Sequence, residues 1–218
     1  PPPPPPPGVF LGIAERIDLV QALDRRVIQM AVALAAERRR RGAPIRLTVN
    51  LSARSLVEAT LIEAIERELS SGNCDPSDLV FEITETAAVG NVQHARAFAE
   101  RLARLGCQLA LDDFGAGFGS FYYLKHLPFD YLKIDGEFVK ALVDNPVDKL
   151  VIEAVVQIAR GLGKRTIAEF VEDEETLTIL RASGVDLAQG FGIGRPGPAA
   201  AMLGLEGPGS LPALTRVA

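Results

Sequence analysis

The chain has 218 residues, 48 % of them hydrophobic, with a formal net charge of −5 at pH 7 and a sequence pI of about 5.2. This length and hydrophobic share suit one domain with a sizeable core, while the acidic balance offers polymeric nucleic acid no general attraction. No apolar run approaches the roughly 18 to 20 residues of a membrane span, and no basic-then-apolar leader opens the sequence. Cys74 and Cys107 lack CxxC spacing and share no ligand spacing with His94 or His126, which predicts reduced thiols and no zinc site. The segment therefore reads as cytoplasmic, without membrane contact.

Pro1 to Pro7 cannot donate backbone hydrogen bonds, so residues 1–8 read as an extended Pro-rich linker or tail. From Val9 a helical period sets in. Phe10, Ile13, Ala14 and Ile17, then Leu23, Val27, Met30, Ala31 and Leu34, recur at three- and four-residue steps and predict two helices. The second ends in Arg38 to Arg41 and Gly42, where basic residues suit the helix dipole and glycine the cap; this outweighs a phosphate-binding reading.

After Pro44, short apolar runs alternate with longer helical ones. Strands are predicted at 45–49, 79–83, 108–111, 131–134, 165–168 and 185–188. Helices are predicted at 53–69, 92–105, 147–162 and 174–182, with a shorter piece near 120–125. Strands alternating with helices imply a parallel α/β sheet, and six such units without a dinucleotide-binding fingerprint fit a TIM-type (β/α) barrel, two strands short of eight, better than an open doubly wound sheet. The barrel domain is expected over 9–200 and a C-terminal tail over 201–218.

Each predicted strand ends in polar residues: Asn50; Glu82 and then Glu85; Asp112 with Asp113; Lys133 and then Asp135; Glu169 and then Glu172; and Gln189. In a parallel barrel all strand C-termini open on one face, so these residues would meet in one bowl. Neighbouring strand residues point to opposite faces, so Asp112 and Asp113 are expected to converge only where the strand stops, in the turn supplied by Gly115, Gly117 and Gly119. Two carboxylates so close repel unless a cation or shared proton compensates them, and an oxygen-rich site without thiols favours Mg²⁺, Mn²⁺ or Ca²⁺.

Asn50, Glu82 and Asp112 could hold one cation, and Asp112, Asp113 and Glu169 a second. Two such ions about 4 Å apart would suit in-line displacement at phosphorus. Lys133 is placed to fix the attacking water or meet a phosphate, the alternative being a structural ion pair with Asp135 or Glu169. Glu85 and Glu172, in loops, would orient ligand or loop. Asp113-Phe114-Gly115 lacks the other kinase motifs, and Gly115, Gly117 and Gly119 miss GxGxxG spacing, so neither a kinase nor a dinucleotide site follows. A Schiff-base aldolase using Lys133 would not need so many acidic groups.

The motifs Asn50-Leu51-Ser52, Glu82-Ile83-Thr84-Glu85, Asp112-Asp113-Phe114-Gly115, Leu132-Lys133-Ile134-Asp135, Ala168-Glu169-Phe170-Val171-Glu172 and Gln189-Gly190 resemble, in order, those of the EAL domain family of cyclic di-GMP phosphodiesterases. The resemblance runs from about Pro7 to Pro196. It implies a TIM-type barrel with one antiparallel strand, and hydrolysis of cyclic di-GMP to linear pGpG with Mg²⁺ or Mn²⁺ in a two-metal site, inhibited by Ca²⁺. Asn50, Glu82, Asp112 and Asp113 match metal ligands. Lys133 matches the lysine near the catalytic water and Glu169 a metal-linked catalytic glutamate. Glu85, Asp135, Glu172 and Gln189 take substrate or loop support. Phe170 departs from the family's Ala-Glu-Gly-Val-Glu motif. The Glu-Ala-Leu segment, with its ligand glutamate and a phosphate-contacting arginine, is expected upstream of residue 1 with the first two strands. Implied partners are cyclic di-GMP, a second copy in a homodimer, and an upstream sensor or GGDEF-type module. A catalytically weak or inactive EAL-fold receptor that signals by binding cyclic di-GMP is the alternative.

Overall fold

A computed structural model describes residues 7–72, 74–115, 123–203 and 215–216. They form two compact units. One comprises the described residues up to 110 together with 123–129, and the other 111–115 with those from 130 onward.

In the first unit, α1 (Pro7–Arg16) and α2 (Val20–Arg40) precede β1 (Leu47–Asn50). Helix α1 takes in Pro7, because a helix N-terminus tolerates a residue without an N–H; Pro1 to Pro6 lie outside the described residues. Helix α2 buries a face other than the predicted one. Val20, Asp24, Ile28, Val32, Ala35 and Ala36 of α2 turn inward, whereas its Val27 and Met30 are exposed, as are Phe10 and Ile13 of α1 and Ile17 between the two helices. Both sets have helical spacing, so periodicity alone could not choose between them. Arg39 binds Asp75 at 2.9 Å and Asp78 at 2.8 Å, and Arg40 and Arg41 pair with Glu37, so the arginine run serves structure.

The predicted 53–69 helix is broken into α3 (Ala53–Leu56), capped by Ser52, and α4 (Ala59–Gly72). Strand β2 (Leu79–Thr84) pairs in parallel with β1, placing Asn50 beside Glu82. Helix α5 (Glu85–Gly90) starts directly at Glu85, with Thr84 accepting from the Ala87 N–H, and α6 (Val92–Leu105) ends at Gly106 in the left-handed conformation that glycine adopts without a Cβ penalty. The core includes Ile28, Leu61, Ile65, Leu79, Phe81 and Leu102, all nearly inaccessible. Each stabilises the fold by roughly 1.5–3 kcal/mol against exposure.

Strand β3 (Gln108–Phe114) leads into the second unit. There β4 (Tyr131–Ile134), α7 (Gly136–Lys140), α8 (Pro146–Gly161), β5 (Arg165–Ala168), α9 (Glu174–Ala182) and β6 (Leu187–Ala188) follow, then α10 (Ala199–Met202) and β7 (Thr215–Arg216). Strand β5 pairs in parallel with both β4 and β6, while β7 joins β6 antiparallel, within the stretch expected as a tail. Asp135, Asn145 and Asp173 cap α7, α8 and α9 by accepting backbone N–H bonds. Thr166 donates through its N–H and its hydroxyl to Asp186, tying β5 to the segment before β6. Tyr131, Leu132, Ile134, Val139, Ile152, Ala168 and Leu180 supply the core. Among the described residues, no helix is long and apolar enough to cross a membrane.

Candidate functional site

Within the second unit, the described end of β3 carries the two aspartates differently from expectation. The strand does not stop at Leu111 but continues through Phe114, with Asp112 and Asp113 inside it. Convergence comes from Asp113, whose φ of 54° lies in the left-handed region. That conformation breaks the strand's alternation without ending the strand, and aspartate tolerates it better than most side chains. The Asp112 carboxylate also accepts the Asp113 N–H at 3.0 Å. Gly115 follows at φ 103°, against the Phe138 ring; Gly117 and Gly119 fall outside the described residues.

Asp112, Asp113 and Glu169 each present an oxygen, all within 4.8 Å of one another, a set that can hold a metal ion. These are hard donors, with no thiol or imidazole among them, and they fit a hard divalent cation. Burial pushes the Asp113 carboxyl above its ordinary range, and the negative charges of Asp112 and then Asp135 push it further, against the opposing pull of Lys133. The crowding of like charge foreseen from sequence is therefore present.

Lys133, buried in the middle of β4, places its ammonium 2.9 Å from Asp112 and 2.6 Å from Glu169. Of the alternatives left open for its ion pair, Glu169 is the partner found, joined by Asp112. Glu169 directly follows β5 and also accepts from the Gln189 amide at 2.7 Å. Gln189 is held by its own backbone, because its N–H donates to Ala168 while its carbonyl accepts from Val171. The Gly192 N–H then donates to the Val171 carbonyl at 2.9 Å, so the turns after β5 and β6 are laced together. A Cβ at Gly190 would lie 2.2 Å from the Val171 carbonyl oxygen, and one at Gly192 2.5 Å from Glu172 main-chain atoms. Asp135 accepts the Glu137 N–H as the α7 cap, and Glu172 is exposed in its loop.

Within the first unit, Asn50 and Glu82 are register neighbours at the C-terminal ends of parallel strands, with Asn50 exposed and Glu82 buried. Glu85 is not in a loop, as expected, but is the buried first residue of α5. Burial and then the Glu85 carboxylate raise the Tyr123 phenol well above its ordinary range. Sequence reasoning missed Asp24. Its buried carboxylate accepts from the Ser52 N–H at 3.1 Å and the Ser55 hydroxyl at 2.6 Å, fixing the turn after Asn50. The legible signal was a carboxylate on the Val20, Ile28, Val32 stripe of α2.

Residues 4–196 match the EAL domain family. The chain belongs to the EAL domain family. It is 38 % identical over 191 residues to the cyclic di-GMP phosphodiesterase PdeB of Shewanella oneidensis, covering 88 % of this chain but 22 % of PdeB. The chain thus spans about a quarter of the length of the curated relatives it matches. Among solved EAL structures, the PaMucR phosphodiesterase in complex with c-di-GMP superposes with a TM-score of 0.85 at 34 % identity, over 88 % of this chain and 78 % of that one. The FimX EAL domain of Pseudomonas aeruginosa bound to c-di-GMP gives 0.81 at 31 %, over 88 % and 76 %. The α/β fold of the TIM-barrel type expected from strand alternation is thereby that of the EAL family.

Proposed function

We propose that this EAL domain hydrolyses cyclic di-GMP to linear pGpG in a metal-dependent reaction. The observation that carries the reading is the cluster of Asp112, Asp113 and Glu169 with Lys133 between two of them, in a chain similar to proteins named as cyclic di-GMP phosphodiesterases. Asp112, Asp113 and Glu169 would hold Mg²⁺ or Mn²⁺, with Ca²⁺ as an inhibitory ion; Asn50 and Glu82 are proposed as further ligands on the family resemblance. Such ions, when bound, supply positive charge to phosphoryl oxygens and acidity to water in a two-metal site.

The chain's own groups do the positioning. Lys133 presents a fixed ammonium that can orient a water or meet a phosphoryl oxygen as a point charge. Gln189 directs Glu169 through its amide, and Asp135 holds the turn that follows Lys133. Glu85 and Glu172 are assigned to loop and substrate support. The segment is proposed to act in the cytoplasm, as a homodimer, under an upstream sensor or GGDEF-type module.

The test is turnover of cyclic di-GMP with Mg²⁺ or Mn²⁺ by the protein, against Asp113→Asn. Formation of pGpG that is lost in the variant supports the reading. Binding of cyclic di-GMP without turnover in the parent protein overturns it in favour of a receptor, a reading with which the likeness to the FimX EAL domain bound to c-di-GMP is equally consistent.

A further inference from the structure

Phe170 stands between Glu169 and Val171 in a conformation that aromatic side chains rarely adopt, with φ at 55°. It is also 48 % exposed, so burial of the ring away from water does not explain its conformation. Two contacts do. The ring lies across Gly136 so closely that a Cβ there would fall 2.0 Å from the ring edge, and the Lys140 ammonium stands 3.9 Å from the ring centroid. Gly136 and Lys140 are the first and last residues of α7, which starts two residues after β4. On its other side, the same turn is laced through Val171 to Gln189 and Gly192.

We propose that Phe170 is a positioning residue. Its ring, lodged over Gly136 beneath Lys140, fastens the turn after β5 to α7 and so fixes the Glu169 carboxylate against Lys133. Without the ring contacts, the left-handed conformation at residue 170 rests on the backbone bonds of Val171, and a residue with a Cβ is strained there. Its return to an ordinary conformation would rotate the adjoining peptides and displace Glu169, whose oxygen must stay within reach of those of Asp112 and Asp113. This inference rests on the metal-site reading given under the proposed function.

The experiment titrates the metal-free protein with Mn²⁺, following the free-ion electron paramagnetic resonance signal, and separately measures amide exchange at Val171. Phe170→Ala is expected to weaken Mn²⁺ binding about 10-fold or more, the usual consequence of losing support behind a ligand. Phe170→Tyr keeps the ring volume and is expected to stay within about threefold of the parent. Gly136→Ala, whose methyl displaces the ring, should reproduce the loss in the parent background and add little to Phe170→Ala, because both act through one contact. Faster exchange at Val171 in Phe170→Ala, with Mn²⁺ affinity lowered and rescued by Tyr, supports the proposal. A lower thermal midpoint with unchanged Mn²⁺ affinity overturns it, since that is what mere packing would give. Unchanged exchange at Val171 also overturns it. A parent protein that binds no Mn²⁺ removes the metal reading, while the exchange measurement still decides whether the ring fastens the turn.

Discussion

The ammonium of Lys133 lies 2.6 Å from the Glu169 carboxylate and 2.9 Å from that of Asp112, with the lysine side chain almost wholly withdrawn from solvent. A single buried cation thus stands between two carboxylates contributed by neighbouring segments, and its charge holds together groups that would otherwise repel.

Replacing Lys133 with methionine removes that charge but keeps most of the stem. Breaking a buried ion pair from one side costs about 3–5 kcal/mol, so the metal-free variant should melt well below the parent. Added Mn²⁺ should recover part of the loss by restoring positive charge. Thermal midpoints with and without the ion measure both effects. On the proposed function, turnover of cyclic di-GMP should fall about 100-fold or more, the scale of losing one preorganised electrostatic group.

Asp24→Ala would leave the Ser52 N–H and the Ser55 hydroxyl without their carboxylate. The expected cost is about 1–3 kcal/mol, read as a lower urea midpoint at unchanged slope. Asp24→Asn keeps one acceptor oxygen and should cost less. Equal stability of the Ala variant and the parent would contradict the assigned bonds.

Gly190→Ala drives a methyl group into the Val171 carbonyl. Overpacking of this kind costs about 1–3 kcal/mol, and here the main chain rather than a flexible side-chain tip must yield. The thermal midpoint should drop, and Gln189 should lose its bond to Glu169, visible as altered chemical shifts of the Gln189 side-chain amide.

Cys107 supplies the pH dependence. Burial first, then the nearby Cys74 and Asp75, push its thiol up to about 12. The folded state therefore favours the protonated thiol: this contribution is fully present below the ordinary cysteine value and is lost as pH rises toward 12. At pH 8, iodoacetamide should label Cys107 far more slowly in the native protein than in urea, because thiolate and access are both suppressed. Mass spectrometry after timed quenching reads the difference, and comparable rates in the two states would contradict the burial.

Much of the fold was legible where pattern and boundary chemistry agreed. The 92–105 helix, with Asn91 before it and Gly106 after it, and the strands 131–134 and 165–168 occur with the predicted bounds. The break between α3 and α4 was not legible, since no glycine or proline marks residues 57 and 58. Nor was the inward face of α2, where Asp24 takes a core position because two serines from a distant segment satisfy it. At the site, residue types announced the chemistry, whereas geometry depended on a single dihedral at Asp113 that an Asp-Asp-Phe string does not reveal. The pairing of Lys133 with two carboxylates was half visible, through Glu169 but not Asp112.

The lacing between the turns after β5 and β6 has a consequence for how this protein can change over generations. Two missing side chains, at Gly190 and Gly192, let one stretch of main chain lie against another. A mutation there would deliver its damage one shell away, at the Gln189 and Glu169 pair, without altering either residue. Sequence surveys of variants that scored only the charged groups would count such a protein as intact, although its carboxylate had lost its bearing.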